Sequence, residues 1–368
     1  MKVYTPVPTR KILDNLGSPD EKLKIIHIAG TNGKGSTAEF FTNILIAAKK
    51  KAGTFTSPLV YDYFDQFKID GVSLSKDKFG AYLKAAKEAA PKDASEFETE
   101  TAAAIYAFAQ EGCEYAVIEC GMGGLNDATN AVNKKALAVI TSVSLEHTEY
   151  LGDTVEKICA QKAGIIKDCP AVINAHQTKE AASYFESLGY KLCKSYPCEL
   201  SIEGVLQPFN ASTAIEGAKI LGIDEKAVYE GIKNTKPLGR LETVFFGGKN
   251  YVLDGGHNPA ALVPLAEYLK CFDKREVTII FGCLSDKDID GNLKTVAGCA
   301  QFMIAVQCPS PRARSISETQ EACRKYFKNL KSAQSVSKAL DMVQPQTVVV
   351  CGSFTLLKEA KEWIGKRQ

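Results

Sequence analysis

No apolar stretch in the sequence is long enough to cross a membrane: the purest early run, Ile44 to Ala48, is five residues long and ends in a lysine cluster, against the roughly 18 that a span needs. There is also no C-x-x-C pair. The twelve cysteines are scattered from Cys113 to Cys351, which excludes a disulfide framework or a zinc ribbon and fits reduced, mostly buried thiols. Neither sign of charge dominates, with 45 Lys and Arg against 43 Asp and Glu for a net +2. No basic face announces nucleic acid or an anionic membrane, and none is expected as a partner. The first ten residues, MKVYTPVPTR, lack an apolar h-region, so the expected location is the cytoplasm. Histidine is scarce, with only His27, His147, His176 and His257. What is left is a chain of 368 residues with a small-molecule partner, long enough at roughly 150 residues per domain for two domains.

Apolar runs of strand length alternate with segments of helical period, the pattern of an α/β fold with helices on the faces of its sheets. In LKIIHIAGTNGKGSTAEFFTNILIAAKKK, a buried strand through Ile25, Ile26 and Ile28 runs into a glycine turn and then a helix with Phe40, Phe41, Ile44, Leu45 and Ala48 on its apolar stripe. Lys49 to Lys51 are expected at the end of that helix, where its dipole favours cations. Strands are predicted at Tyr115 to Cys120, Ala136 to Ser142 and Ala171 to Asn174, with a helix between Thr99 and Glu111. From residue 249 a second series begins, with strands in KNYVLD, EVTIIFG, QFMIAVQ and QTVVVCG. Lys236-Pro237-Leu238-Gly239 interrupts both periods, so the domains are expected at 1–238 and 239–368.

Gly30-Thr31-Asn32-Gly33-Lys34-Gly35-Ser36 lies between a predicted strand and a predicted helix, where backbone N–H groups and a helix N-terminus cradle phosphate oxygens. It departs from G-x-x-x-x-G-K-[ST] in having Ile28 at the first glycine position and Gly35 between the lysine and Ser36. On the residues alone, a glycine-rich turn with an exposed lysine competes with a nucleotide site. Likewise His147 reads as a loop histidine and Lys162 as a helix-surface lysine, while Glu119 ends a strand where α/β sheets present ligands. His27, alternating with isoleucines, reads as a hydrogen-bonded strand histidine and His176 as a surface one.

Eight segments in order, IIHIAGTNGKGSTAEFF, FTSPL, VIECGMGGLNDATN, ITSVSLEHTEYLGDTVEKICAQKAGIIK, PFNAS, GRLE, LDGGHNP and SDKD, resemble the signatures of the folylpolyglutamate synthase and dihydrofolate synthase family of Mur ligases. The resemblance implies an N-terminal P-loop ATPase domain of the Mur-ligase type and a smaller C-terminal Rossmann-like α/β domain. It implies an ATP- and Mg²⁺-dependent amide ligase that adds L-glutamate to a folate or pteroate carboxylate through an acyl phosphate, acting as a monomer.

By the same resemblance, Gly30 to Ser36, Asn210, Arg240 and Asp254 bind the nucleotide, and Lys34, Lys162 and His257 take part in catalysis. Glu119 and His147 bind Mg²⁺, and Ser57 contributes a hydroxyl to the first of two metal sites. Lys162 is the lysine that relatives carbamylate with CO₂, which turns a cation into an oxygen ligand for the second. The loops differ from the usual family pattern at Leu59 (His in relatives), Asp65-Gln66 (a Glu-Arg pair) and Leu125 (Arg). Alternative readings are a divergent Mur-type ligase for a non-folate carboxylate and a non-catalytic nucleotide-binding relative.

Overall fold

The computed structural model describes residues 5–236, 238–344 and 346–367; Pro237 of the expected hinge lies outside them. The chain divides into two compact units. The first takes residues up to Pro58, Phe64–Ser201 and Leu206–Lys236, and the second takes Leu59–Tyr63, Ile202–Val205 and the chain from 237 onward.

In the first unit the elements are α1 (Val7–Asn15), β1 (Lys24–Ala29), α2 (Lys34–Ala47), β2 (Ala52–Phe55), β3 (Phe67–Ile69), β4 (Val72–Ser73), α3 (Lys76–Ala89) and α4 (Glu96–Gln110). They continue with β5 (Tyr115–Glu119), β6 (Leu137–Ile140), α5 (Thr148–Leu151), α6 (Val155–Ala163), β7 (Ala171–Ile173), α7 (Lys179–Ser187), α8 (Gln207–Ile220) and α9 (Glu225–Asn234). The sheet order is β4-β3-β2-β5-β1-β6-β7, parallel except where β3 turns back against β2 and β4. Strand β1 is central, with Ile28 opposite Glu119 of β5 and Ala29 opposite Ile140 of β6. From Ile25 to Ala29 every residue is buried, as expected of a parallel strand covered on both faces. The loops after β1, β5 and β6 therefore leave the same edge at the point where strand order reverses, where open α/β sheets hold ligands.

The lysine cluster corrects the expectation for α2. That helix ends at Ala47 and has no basic residue in its last turn; Lys49 has a left-handed backbone, φ +57°, and the lysines serve neighbouring segments instead. Lys50 and Lys24 both pair with Glu114, and Lys51 Nζ donates to the Glu111 carbonyl at the end of α4.

The second unit holds β8 (Glu242–Phe246), β9 (Lys249–Leu253), α10 (Pro259–Leu269), β10 (Val277–Phe281), α11 (Ile289–Val296), β11 (Phe302–Ala305), α12 (Ile316–Arg324), β12 (Asn329–Ser332), α13 (Val336–Asp341), β13 (Thr347–Cys351) and α14 (Leu357–Gly365). Its sheet runs β12-β11-β10-β13-β9-β8, with only β8 antiparallel to its neighbour. Period-two alternation builds two cores. Val252, Ile279, Phe281 and Val349 face α10 and α11, while Tyr251, Leu253, Ile280 and Val350 face α13 and α14. No helix among the described residues is long and apolar enough to cross a membrane.

Candidate active site

The turn after β1 is shaped by the absence of side chains. A Cβ on Gly30, at φ +153°, would stand 1.8 Å from Thr141 Oγ1, and one on Gly33, at φ +90°, would stand 2.5 Å from Asn210 Oδ1. Asn210 on α8 and Thr141 after β6 thus fill the space those glycines leave. The loop is pinned to the strand end beside it. Thr31 N–H donates to the Ser142 carbonyl at 2.8 Å, the Thr31 hydroxyl donates to the Ser144 carbonyl at 3.0 Å, and Ser142 Oγ donates to the Asn32 carbonyl at 3.1 Å. Gly33 caps α2, whose first-turn N–H groups have no intrahelical acceptor and point out of the N-terminus. Thr37 N–H is the first to reach back, to the Gly33 carbonyl at 2.9 Å.

Two ammonium groups converge on this turn. Lys34 Nζ donates to the carbonyls of Gly30 at 3.1 Å and Thr31 at 3.2 Å, and Lys162 Nζ on α6 donates to the same Gly30 carbonyl at 2.7 Å. Lys162 is 2% exposed. Burial, and next the charge of Lys34, push its pKa down to about 8, against the pull of Glu146. Lys34 Nζ lies 3.9 Å from Oε1 of Glu119, a carboxylate 2% exposed, and the Ser57 N–H donates to Glu119 Oε2 at 3.3 Å. These contacts join Gly30, Lys34, Ser57, Glu119 and Lys162 at the end of the central strands. Asn210 joins through a buried amide chain: Asn174 Nδ2 donates to Asn210 Oδ1 at 3.4 Å, Asn210 Nδ2 to Gln207 Oε1 at 3.3 Å, and Gln207 Nε2 to Ser36 Oγ at 3.4 Å.

A sequence profile described as the Mur ligase middle domain matches residues 28–200, and one described as the Mur ligase, glutamate ligase domain matches residues 239–354. A dihydrofolate synthase/folylpolyglutamate synthase of Escherichia coli (strain K12) is 31% identical over 376 residues, covering 94% of this chain and 87% of its own. The chain belongs to the folylpolyglutamate synthase and dihydrofolate synthase family of Mur ligases. A probable bifunctional folylpolyglutamate synthase/dihydropteroate synthase of Haloferax volcanii is 31% identical over 96% of this chain, which spans only 47% of that longer protein. The crystal structure of a bifunctional folylpolyglutamate synthase/dihydrofolate synthase from Yersinia pestis, complexed with AMPPNP and a Mn ion, superposes with a TM-score of 0.85 at 27% identity, covering 98% of this chain and 93% of that one.

Family membership sharpens the question of a metal. Among the described residues no group of three or more His, Cys, Asp or Glu side chains is gathered into a ready-made site. The donors at the loop still fit a hard divalent ion. Glu119 is a buried carboxylate beside the Ser57 loop, and Mg²⁺ characteristically takes one or two carboxylates while keeping waters and phosphate oxygens as its other ligands. His147 caps the short α5 with a left-handed backbone, φ +50°, and its Nε2 lies 3.9 Å from Glu146 Oε1. Glu146 is also the charge that partly restores the Lys162 ammonium.

The remaining family residues belong to the second unit. Asp254, at the end of β9, is buried and accepts from the N–H of Leu241 at 2.9 Å and of Gly256 at 2.8 Å. Burial raises its pKa, and those two N–H bonds and Arg240 oppose the rise. Its first task is therefore to fasten the 239–241 turn to the 255–257 turn. The Arg240 guanidinium lies 5.1 Å from the centre of the Phe354 ring. His257 Nδ1 lies 3.0 Å from the Gly255 carbonyl, and the His257 carbonyl accepts from Asn292 at 3.1 Å.

His27 is a strand histidine, fully buried, with Nε2 2.8 Å from Thr129 Oγ1 and 3.1 Å from Cys120 Sγ; burial and next the cations Lys135 and Lys167 hold it neutral. His176 is exposed. The cysteines are free thiols, and burial raises the pKa of Cys120, Cys159 and Cys351 away from reactivity. Thr141, Asn174, Gln207 and Glu146 also line this site, though none is among the residues expected there from the sequence. Gln207 directly precedes PFNAS, and Thr141 and Glu146 both lie inside ITSVSLEHTEY, so each is within a motif's reach, whereas nothing local marks Asn174.

Proposed function

We propose that this chain is an ATP-dependent ligase that joins L-glutamate to a folate-type carboxylate, that of dihydropteroate, of a reduced folate, or of both. The observation that carries the reading is the pair of ammonium groups, Lys34 and Lys162, on one carbonyl at the N-terminus of α2, with the buried carboxylate of Glu119 beside them. A glycine turn with a solvated lysine has no use for a second, buried lysine.

The reaction balances in two steps. An oxygen of the acceptor carboxylate attacks the γ-phosphorus and ADP leaves. The amine of glutamate then attacks the acyl carbon, inorganic phosphate leaves, and the nitrogen gives up a proton. In the first step the N–H groups of Gly33 to Ser36 cradle the phosphates, and Lys34 exchanges its two loop carbonyls for phosphate oxygens. Asn210, wedged against Gly33, keeps that turn in shape. Ser57, Glu119 and His147 are the residues that would hold Mg²⁺. When bound, that ion neutralises charge on the transferring group.

Lys162, with its pKa near 8, keeps a neutral fraction able to add to CO₂: the nitrogen bonds carbon, loses a proton, and becomes a carbamate that offers oxygen to a second ion. Arg240, Asp254 and His257 are assigned by resemblance to the phosphates, the ribose and the reacting acyl group. The ATP-binding domain is residues 1–238 and the second domain 239–368, the latter also drawing in Leu59–Tyr63 and Ile202–Val205, in a monomeric cytoplasmic protein.

The test is phosphate release from ATP with glutamate and saturating Mg²⁺, comparing dihydropteroate, tetrahydrofolate and no acceptor. Release is expected with at least one acceptor. None with either would sink the folate reading and leave a ligase for another carboxylate. Weighing the same preparation intact, under gentle ionisation and dissolved CO₂, is expected to show one added CO₂ that Lys162→Met lacks.

A further inference from the structure

Between β2 and β3 the chain leaves the first unit after Pro58, gives Leu59–Tyr63 to the second, and returns at Phe64. What holds that excursion is a set of bonds around Glu242, the first residue of β8. Its carboxylate accepts from the Tyr61 hydroxyl, from Lys361 Nζ at 2.5 Å and from the Gly239 N–H at 3.0 Å. Lys361 also lies 5.8 Å from the centre of the Tyr61 ring.

Apolar packing completes the seat. Val60 and Tyr61 pack on the core formed by Leu253, Val350, Phe354 and Leu357. A Cβ on Gly239 would come within 2.7 Å of Leu357 and 2.9 Å of Val60, so the absence of a side chain there admits the segment. The outer pair, Lys358 with Asp62 at 3.7 Å, is half exposed on both sides and adds little. Burial alone would raise the Glu242 pKa, yet Lys361, Tyr61 and the Gly239 N–H hold it below the ordinary value.

This seat begins two residues after Ser57, whose N–H rests on Glu119. We propose that the bonds of Tyr61 and Lys361 to Glu242 form a clasp that positions Ser57 for the metal, making Tyr61 and Glu242 positioning residues of the ligase reaction. The inference rests on the reading of Ser57 and Glu119 as metal-binding groups. Its physical content is preorganisation: a loop pinned at Tyr61 presents Ser57 without the ordering cost that a loose loop meets when the ion binds.

The experiment titrates Mn²⁺ into the full-length chain saturated with AMPPNP, following free Mn²⁺ by electron paramagnetic resonance, with thermal melting alongside. Tyr61→Phe and Glu242→Ala are expected to weaken Mn²⁺ binding by roughly three- to tenfold, the size of one hydrogen bond's net worth. Glu242→Gln keeps an oxygen for Tyr61 and Gly239 but turns its NH₂ toward the Lys361 ammonium, and is expected to fall between the parent and Glu242→Ala. Chymotrypsin is expected to nick the Tyr61→Phe variant faster between residues 59 and 63.

Lowered melting with unchanged Mn²⁺ affinity in both Tyr61→Phe and Glu242→Ala would overturn the clasp and leave the contacts merely structural. Unchanged affinity in Glu119→Gln would overturn the metal reading beneath it. Should Glu242→Ala fail to fold, Tyr61→Phe, which removes one oxygen, decides the matter.

Discussion

Lys162 and Lys135 show how burial sets the chemistry of single groups here. Lys162 is pushed to about 8 by burial and Lys34, and Lys135 to about 8 by burial and Lys167. In the unfolded chain each titrates near the ordinary lysine value of 10.5. Below about 8 both states carry the proton and the folded one bears the whole cost of a buried cation. Between about 8 and 10.5 the unfolded chain binds more protons, so these groups make unfolding free energy rise with pH across that window.

Lys135 stands apart from the phosphate loop, its ammonium on Asn130 Oδ1 at 2.7 Å and the Ile165 carbonyl at 2.6 Å, which makes it the cleaner probe. Lys135→Met is expected to flatten the rise, read by urea denaturation on either side of pH 8; an unchanged slope would remove Lys135 from the account.

At the level of elements, one substitution in two helices is expected to have opposite signs. In α9, a Cβ on Gly231 would stand 2.4 Å from the Cα of Ile44 in α2, so Gly231→Ala must push two helix backbones apart, at a cost of about 1–3 kcal/mol. In α3, Gly80 is exposed with nothing within 4 Å of its Cβ position, and Gly80→Ala is expected to gain up to about 1 kcal/mol from helix propensity. Denaturant midpoints of the two variants check the pair; destabilisation by both would refute the account of Gly80, and neutrality of both that of Gly231.

The elements legible in the sequence are those whose neighbours cover both faces. β1, β5, β6, β10, β11 and β13 read as continuous apolar runs because they are buried throughout or nearly so. β8 and β12 are edge strands in which exposed and half-buried residues alternate, and β2 is four residues with a glycine against the Phe108 ring. None of these carries a pattern that separates it from a loop. The site divides the same way. Its phosphate turn is contiguous and readable, while the bond from Lys162 to Gly30 spans 132 residues and was reached only through likeness to a family. Asn174 owes its place to the register of β7 on β6, which no local spacing encodes.

Across the whole molecule, the near-zero net charge of +2 suits a protein whose anionic ligands are met by a few placed cations instead of a general field. The chain passes between its two units at five points, with Leu59–Tyr63 and Ile202–Val205 as the outlying pieces of the second. A gene cut at the obvious seam therefore does not yield two whole parts. The fragment from residue 237 onward would leave Glu242 without Tyr61 and expose the apolar bed under Val60. Expressed alone, it is expected to bind a hydrophobic dye and melt early, and a synthetic peptide of residues 57–65 added in trans is expected to raise its melting temperature. A fragment indifferent to the peptide would show that the bed closes by itself. In evolutionary terms, the second unit cannot be exchanged for that of a relative as a simple C-terminal cassette, because part of its fit is written upstream, inside the other unit's coding sequence.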